Sequence, residues 1–387
     1  MTLAPPSSDV EALAERVRVA ARAGESLRVV GAGTWLDAAA PVAASEPLSV
    51  RDLTGVVEYV PGDLTITVRA GTTLEDVDRI TREQGQWLTL DPYGSRAGTI
   101  GATIATASAG PLATSFGTPR DVVLGLEAVL GTGTIMRAGG RVVKNVAGFD
   151  LVRLLCGSWG TLGVITEATL RLRALPEREE TLATGLEDAP SAVQAFRAAM
   201  RDLPFNPLAC EVLNGALAAE LGLGDGAVAL TRLGGNPDAL GAQRAAVQAL
   251  GETSVVDPAI WERLRTAEGE PAAVVRLSHL PSRVGELWAA SREIARRWAG
   301  TRCQASIARG VLRCVLPRRD PGRGGAANAV ASALYIGVEA TRSFERLPGE
   351  LWSAIGPRLA PESIELRVKR AFDPGNVLNP GIMGVVG

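Results

Sequence analysis

The sequence predicts an α+β protein of two domains, and three observations carry that prediction. Apolar residues recur at helical spacing in some segments and in short or alternating runs in others, which marks a mixture of helices and strands. A tract from Asp91 to Gly117 is rich in Gly, Ala, Ser and Thr and poor in large side chains, so that backbone can come close to a ligand. After the polar, proline-led step Pro176-Glu177-Arg178-Glu179-Glu180 the pattern of strands and helices starts afresh, which is how a domain boundary reads.

Taken in order, the first element is a helix. Asp9 is placed to cap an amphipathic stretch through Val10, Leu13, Val17 and Ala20–Ala21, and Gly24 stops it. Leu27-Arg28-Val29-Val30 is a short strand running into Gly31-Ala32-Gly33-Thr34, and further strands are expected at Leu48–Val50, Val56–Val60 and Leu64–Ala70. A helix capped by Thr72 or Thr73 then runs to about Glu83. Ile100 and Ile104 punctuate the small-residue tract at helical spacing, so it is not a flexible linker. Val122–Leu130 and Thr134–Arg137 read as strands, and Val164–Leu172 as a long strand of alternating exposure. Beyond the boundary, strands near Leu208–Leu213, Ala227–Leu233, Ala272–Leu277 and Val311–Leu316 alternate with helices near Ala189–Arg201, Pro237–Leu250 and Arg283–Trp298. That order suggests an antiparallel sheet backed by helices, a ferredoxin-like second domain. Gly322-Arg323-Gly324-Gly325 reads as a loop, and neither an internal repeat nor a low-complexity tract is evident.

Bulk properties exclude several functions. With 387 residues, 46% hydrophobic and 21% charged, the chain suits two or three domains with their own cores. A formal net charge of −2 gives no electrostatic case for nucleic acid or an anionic membrane. No apolar run reaches the roughly 20 residues of a membrane span, and the start of the chain lacks the basic flank and apolar core of a signal peptide. Cys156, Cys210, Cys303 and Cys314 have no C-x-x-C spacing, so neither zinc nor an iron–sulfur cluster is indicated. Scattered thiols fit a reducing cytoplasm. His279 is the only histidine, which confines a catalytic triad, a His-ligated metal or a histidyl flavin tether to one residue, and that residue reads as a partly buried histidine at a strand end.

The segment Val29-Val30-Gly31-Ala32-Gly33-Thr34 is a strand entering a glycine loop, whose backbone N–H groups can converge on a pyrophosphate. A dinucleotide-binding Rossmann loop is the rival, and Asp52 lies about 20 residues on, where a ribose-binding carboxylate is expected. Leu36, however, occupies the third glycine position of that fingerprint. A second set of motifs follows: Gly98-Thr99-Ile100-Gly101-Ala102-Thr103-Ile104-Ala105-Thr106-Ala107-Ser108-Ala109-Gly110, then Phe116-Gly117-Thr118-Pro119-Arg120-Asp121, then Lys144-Asn145-Val146-Ala147-Gly148-Phe149-Asp150-Leu151, and finally Gly157-Ser158-Trp159-Gly160-Thr161-Leu162-Gly163-Val164-Ile165.

This ordered series resembles the PCMH-type FAD-binding domain of the vanillyl-alcohol oxidase and D-2-hydroxyacid dehydrogenase flavoproteins. The resemblance covers roughly the first 175 residues and the tail ending Asn379-Pro380-Gly381. Through Lys144–Leu151 and the short tail it is similar in particular to the FAD-binding E subunits of bacterial glycolate oxidases. It implies a VAO-like FAD-binding domain of two α+β subdomains over 1–175, a ferredoxin-like cap or substrate domain over 176–345, and a segment over 346–387 that returns to the FAD domain. It further implies noncovalent FAD. Gly31, Ala32, Gly33, Thr34, Trp35 and Leu36 would wrap the pyrophosphate. Thr99, Gly101, Ala102, Ala105, Thr106, Ser108 and Gly110 would line the second pyrophosphate and ribityl wall. Gly160, Gly163, Val164 and Ile165 would hold the adenosine side, and Asn379 would approach the isoalloxazine.

The chain departs from the catalytic relatives in two places. They carry a histidine-rich, metal-binding segment in the second domain, and Gly322–Glu345 here holds no histidine. They have Gly-Ser-Glu-Gly where this chain has Gly157-Ser158-Trp159-Gly160. Oxidising a 2-hydroxy acid needs a base, a cation for the carboxylate and a hydride acceptor. Lys144, Arg276, Arg367 and Lys369 are the candidate cations, no base is assigned, and Arg120-Asp121 reads as an ion pair bracing its loop. The resemblance implies an accessory FAD subunit working with a catalytic flavoprotein subunit and an iron–sulfur subunit. A stand-alone oxidoreductase for a small 2-hydroxy acid, a catalytically silent structural subunit and an NAD enzyme remain as alternatives.

Overall fold

The computed structural model describes residues 8–44, 46–140, 150–318, 326–360 and 363–386. The Lys144–Phe149 part of the third motif, the candidate cation Lys144 and the Gly322–Gly325 loop lie outside the described residues. The chain divides into two units: residues 1–109, 117–175 and 356–387 form the first, and 110–116 with 176–355 the second. Among the described residues no helix is long and apolar enough to cross a membrane.

In the first unit, helix α1 (Ser8–Ala23) precedes the parallel pair β1 (Leu27–Val30) and β2 (Glu46–Ser49). Asp9 is not the cap of α1. The helix already begins at Ser8, and the Asp9 carboxylate lies in its first turn, 3.4 Å from the Arg69 guanidinium. Val10, Leu13, Ala14, Val17 and Ala20 form the buried stripe of α1 and pack with Leu27, Leu48, Val377 and Leu378. The next elements are β3 (Val56–Val60), β4 (Thr65–Arg69), α2 (Leu74–Arg82), β5 (Gln86–Trp87) and α3 (Ile100–Thr106). Thr73, rather than Thr72, caps α2 by accepting from Asp76 N at 3.0 Å, while the Thr72 hydroxyl exchanges hydrogen bonds with Gly55.

After α4 (Ala113–Phe116), which belongs to the second unit, come α5 (Pro119–Val122), β6 (Val123–Leu130), β7 (Ile135–Gly139), α6 (Leu151–Leu155), β8 (Gly163–Arg171) and β9 (Arg173–Ala174). The five-stranded antiparallel sheet has the order β3-β4-β8-β6-β7. Because β8 is central, its residues 163–166 are all buried, and the alternation expected along it sets in only from Thr166 onward. Arg120 and Asp121 do not brace one another. Asp121 closes a capping box with Thr118 at the start of α5, and the Arg120 guanidinium donates to the Cys156 carbonyl at 3.2 Å.

The second unit holds one eight-stranded antiparallel sheet, built from β10 (Arg178–Leu186), α7 (Pro190–Arg201), β11 (Ala209–Leu213), α8 (Gly215–Glu220), β12 (Ala227–Gly235), α9 (Pro237–Gln248), β13 (Thr253–Val256), α10 (Ile260–Thr266), β14 (Pro271–Ser278), α11 (Val284–Arg297), β15 (Arg302–Ser306), β16 (Val311–Pro317), α12 (Ala326–Leu334), β17 (Thr341–Arg346) and α13 (Gly349–Ile355). Its order, β13-β10-β12-β11-β15-β16-β14-β17, contains the ferredoxin-like arrangement twice. Strands β10 to β13 stand as fourth, first, third, second, and strands β14 to β17 repeat that order in mirror sequence. The two halves join through β11 and β15, where Glu211 faces Ser306. The expected single ferredoxin-like unit is therefore two, related by topology.

Both faces of the first half are covered, which explains why β11 is a continuous buried run. Leu182 and Leu233 pack with Leu240 and Val247 of α9. Ala183, Leu213 and Leu230 pack with Leu217 of α8 and with Ile260, Trp261 and Leu264 of α10. Trp288 and Trp298 are buried at α11 and its C-terminus, as their spacing predicts, and their indole N–H groups donate to Asp188 and to the Pro317 carbonyl.

All four cysteines are buried and free, and burial pushes the Cys156 and Cys210 thiols up to about 12. Thiolate is the reactive form. Iodoacetamide near neutral pH is therefore expected to leave Cys156 and Cys210 unlabelled in the native protein and to label both in denaturant, as peptide mass spectrometry reads directly.

Candidate functional site

A cleft in the first unit gathers most of the residues singled out from the sequence. Its floor is the end of β1, its walls are the loop after β1, the helix α3 and the turn before β8, and its rim includes the tail. Its enclosed volume is about 90 Å³, below the roughly 300–1,000 Å³ usual for ligand sites, and it opens to solvent. Gly31, Gly33, Thr34, Trp35 and Leu36 line it from the loop, Gly101, Ala102, Ala105 and Thr106 from α3, Gly160, Gly163 and Ile165 from the turn and β8, and Asn379 from the tail.

Ala32, Thr99, Ser108, Gly110 and Val164 stand apart from that lining. Val164 alternates with its neighbours on β8 and joins the core under α1. Thr99 is buried as the N-cap of α3, accepting from Ala102 N at 3.3 Å. Gly110 belongs to the second unit. Ser108 follows the left-handed Ala107 that ends α3, and its hydroxyl is buried with no hydrogen-bond partner.

Close backbone approach makes the cleft. A Cβ on Gly31 would sit 2.6 Å from the Thr99 hydroxyl, so the loop lies directly on the start of α3. Gly31→Val is expected to displace Thr99 from its cap and weaken ligand retention by at least roughly tenfold, about 1.4 kcal/mol, with the fold retained; cofactor titration beside far-UV circular dichroism checks both halves of that expectation. Gly160 has φ +69°, and a Cβ there would meet the Asn379 amide nitrogen at 2.9 Å.

Asn379 joins three segments of the site. Its Oδ1 accepts from Val29 N at 2.8 Å, its Nδ2 donates to the Trp159 carbonyl at 2.7 Å, and its own N–H donates to the Leu27 carbonyl at 2.9 Å. The residue takes the left-handed conformation, φ +45°, which asparagine adopts more readily than most residues. Behind it, Lys369 of α14 (Ile364–Phe372) donates to Asp373 and to the carbonyls of Thr161 and Leu378, the last two at 2.8 Å. Asp373 accepts in turn from Val377 N and Leu378 N. Burial holds the Lys369 ammonium below the usual lysine range against the pull of Asp373. Lys369 is thus spent on the tail and is not a candidate substrate clamp.

Six residues of the lining escape sequence reasoning: Arg28, Val29, Val30, Val50, Trp159 and Ile382. Arg28 donates to the Leu36 carbonyl and so pins the loop across β1. Trp159, at φ +54°, meets Trp35 edge to face with ring centroids 6.0 Å apart. The signal for Trp159 was its replacement of the glutamate carried by the catalytic relatives. His279 stands just after β14, as its sequence position predicts, and its Nδ1 accepts from Leu280 N at 2.7 Å.

The sequence pattern of a family described as an FAD binding domain matches residues 7–139, which include the glycine loop, α2 and α3. That stretch is the part of the chain that matches the FAD binding domain family. The fold agrees: alkyldihydroxyacetonephosphate synthase aligns over 97% of this chain and 76% of its own, with a TM-score of 0.65 at 15% identity. Among curated relatives, the Escherichia coli K12 protein named glycolate oxidase subunit GlcE is 36% identical over 231 residues, 58% of this chain and 64% of that one. Glycolate oxidase subunit GlcD of Bacillus subtilis is 38% identical over 42% of this chain and 35% of its own. D-2-hydroxyglutarate dehydrogenase of Xanthomonas citri is 35% identical over 52% of this chain and 43% of its own. The chain therefore spans less than two thirds of the length of each of these relatives. Their names are those of oxidases and dehydrogenases, and the cofactor of this domain family is FAD.

The cleft suits that cofactor. Small side chains along the loop and α3 let a long, phosphorylated ligand approach the backbone at close range.

Proposed function

We propose that the chain is the FAD-binding subunit of a glycolate-oxidase-type 2-hydroxyacid dehydrogenase complex, holding FAD noncovalently in the cleft of the first unit. The observation that carries this reading is the convergence of the Gly31–Leu36 loop, α3, the Gly160–Ile165 segment and Asn379 on one cleft, in a chain 36% identical to a glycolate oxidase subunit. The scarcity of residues able to tether a flavin supports noncovalent binding. The only histidine, His279, belongs to the second unit, and the one cysteine of the first unit, Cys156, is buried with its thiol pushed up to about 12.

Bound FAD supplies a hydride and electron acceptor. Backbone N–H groups of the Gly31–Thr34 loop would hold the phosphates, since the first N–H groups of α3 already donate to Thr72, Ala70 and Thr99. The Trp35–Trp159 pair lines the cleft. Asn379 fixes the rim by holding Val29 and Trp159 at once. The second unit offers no histidine cluster to serve as a base, since His279 stands alone. Of the candidate cations among the described residues, Arg367 is exposed on α14, Lys369 is committed to the tail, and Arg276 is half-buried on β14 of the second unit. This distribution favours a subunit whose flavin relays electrons or stabilises the assembly over an autonomous dehydrogenase.

The test is co-expression with the neighbouring catalytic flavoprotein and iron–sulfur subunits, beside anaerobic addition of glycolate or D-lactate to the isolated chain. Co-purification of the subunits, with no bleaching of the isolated chain's flavin, is expected. A monomer in the presence of its neighbours, with a flavin bleached by the 2-hydroxy acid, would replace this reading by a stand-alone oxidoreductase.

A further inference from the structure

Strands β15 and β16 form a hairpin in the second unit, and Cys303 stands directly opposite Cys314 in its register. Both side chains are fully buried, and their sulfurs lie 3.2 Å apart. Directly opposed residues on antiparallel strands have Cα atoms about 4.5–5.5 Å apart, inside the range of about 4.4–6.8 Å that a disulfide spans. Bond formation brings the sulfurs to about 2.05 Å, a closure of roughly 1.1 Å that side-chain rotation supplies without moving either strand. Helix α11 packs over the pair, with the Ser291 carbonyl 4.0 Å from the Cys303 sulfur.

We propose that Cys303 and Cys314 are a redox modification site, converted by a hydroperoxide into a cross-strand disulfide that ties the β15–β16 hairpin. One thiolate attacks the peroxide, the O–O bond breaks, and a sulfenic acid and water form. The second sulfur then attacks the sulfenic sulfur, the S–O bond breaks, the S–S bond forms, and a second water leaves. Two thiols lose two electrons to one hydrogen peroxide. The neighbouring Cys314 sulfur, and burial after it, hold the Cys303 thiol well above its ordinary range. The first step therefore waits on local opening of the hairpin, while the second is fast because the partner sulfur is already in place. Cys156 and Cys210 have no such partner in strand register, so the reaction is selective for this pair.

The native full-length chain is treated with hydrogen peroxide, the remaining thiols are alkylated in denaturant, and the digest is mapped. Trypsin cleaves after Arg302, Arg309, Arg313 and Arg318, so the two cysteines leave on separate peptides unless they are bonded. The expected result is one reductant-cleavable species joining Cys303–Arg309 to Cys314–Arg318, with Cys156 and Cys210 still alkylated. In Cys314→Ser the same treatment is expected to carry Cys303 to sulfinic or sulfonic acid instead. Recovery of both wild-type peptides with free thiols, their separate over-oxidation, or a link that involves Cys156 or Cys210 would overturn the proposal. None of these readouts depends on the flavin or on a partner subunit.

Discussion

Replacing Lys369 with methionine is expected to destabilise the first unit by about 3–5 kcal/mol, the usual loss when one partner of a buried ion pair is removed. The Asp373 side chain has no exposed surface, and that of Lys369 is only 14% exposed. Without the ammonium, the carboxylate keeps two backbone N–H donors but has no counter-charge in an unhydrated setting. The Thr161 and Leu378 carbonyls lose a donor as well. A decrease in melting temperature of roughly 5–15 °C is expected for a unit of this size, with faster loss of FAD because Leu378 adjoins Asn379. The double variant Lys369→Met/Asp373→Asn is expected to regain part of the loss, since the stranded charge is gone. Equal melting temperatures for Lys369→Met and wild type would show that the pair contributes nothing to the tail.

Asn379→Ala is the second large effect. It leaves Val29 N–H and the Trp159 carbonyl without their partner, at about 1–3 kcal/mol for each group that water cannot reach. It also places alanine at φ +45°, a conformation that disfavours residues other than glycine and asparagine. A loss of about 2–4 kcal/mol in stability and at least a tenfold rise in the FAD dissociation constant are expected, measured by denaturant melts and by fluorescence titration. Asn379→Asp separates the two bonds. The carboxylate still accepts from Val29 N–H but has no N–H for Trp159, so an intermediate loss is expected. An aspartate variant as impaired as alanine would place the whole effect in the Trp159 bond.

The tail shows what sequence alone conveyed and what it did not. Asn379 stood out by resemblance, as a residue approaching the flavin. Its side chain also clamps backbone at Val29 and Trp159, positions 350 and 220 residues away, and no local pattern encodes such a contact. The glycine loop and α3 were legible because close approach demands small residues in sequence, whereas Arg28 and Val50 line the cleft only because β1 and β2 pair in parallel.

The boundary read at Pro176 coincides with the division between the units, but the charged first residues of β10 did not read as a strand, and Glu179 and Glu180 meet Arg232 and Arg244 there. Strand β15 gives no alternation, since it is buried on both faces and carries Cys303, Gln304 and Ser306. The topological duplication left no trace in the residues. Its halves share the order of their elements and differ in what fills them.

The central claim is that the cleft holds FAD without a covalent bond, and the visible absorption spectrum of the purified chain, before and after acid precipitation, tests it most directly. A yellow protein that releases its FAD into the supernatant in amounts equal to the chain is the predicted result. A colourless protein that also takes up no added FAD would contradict it.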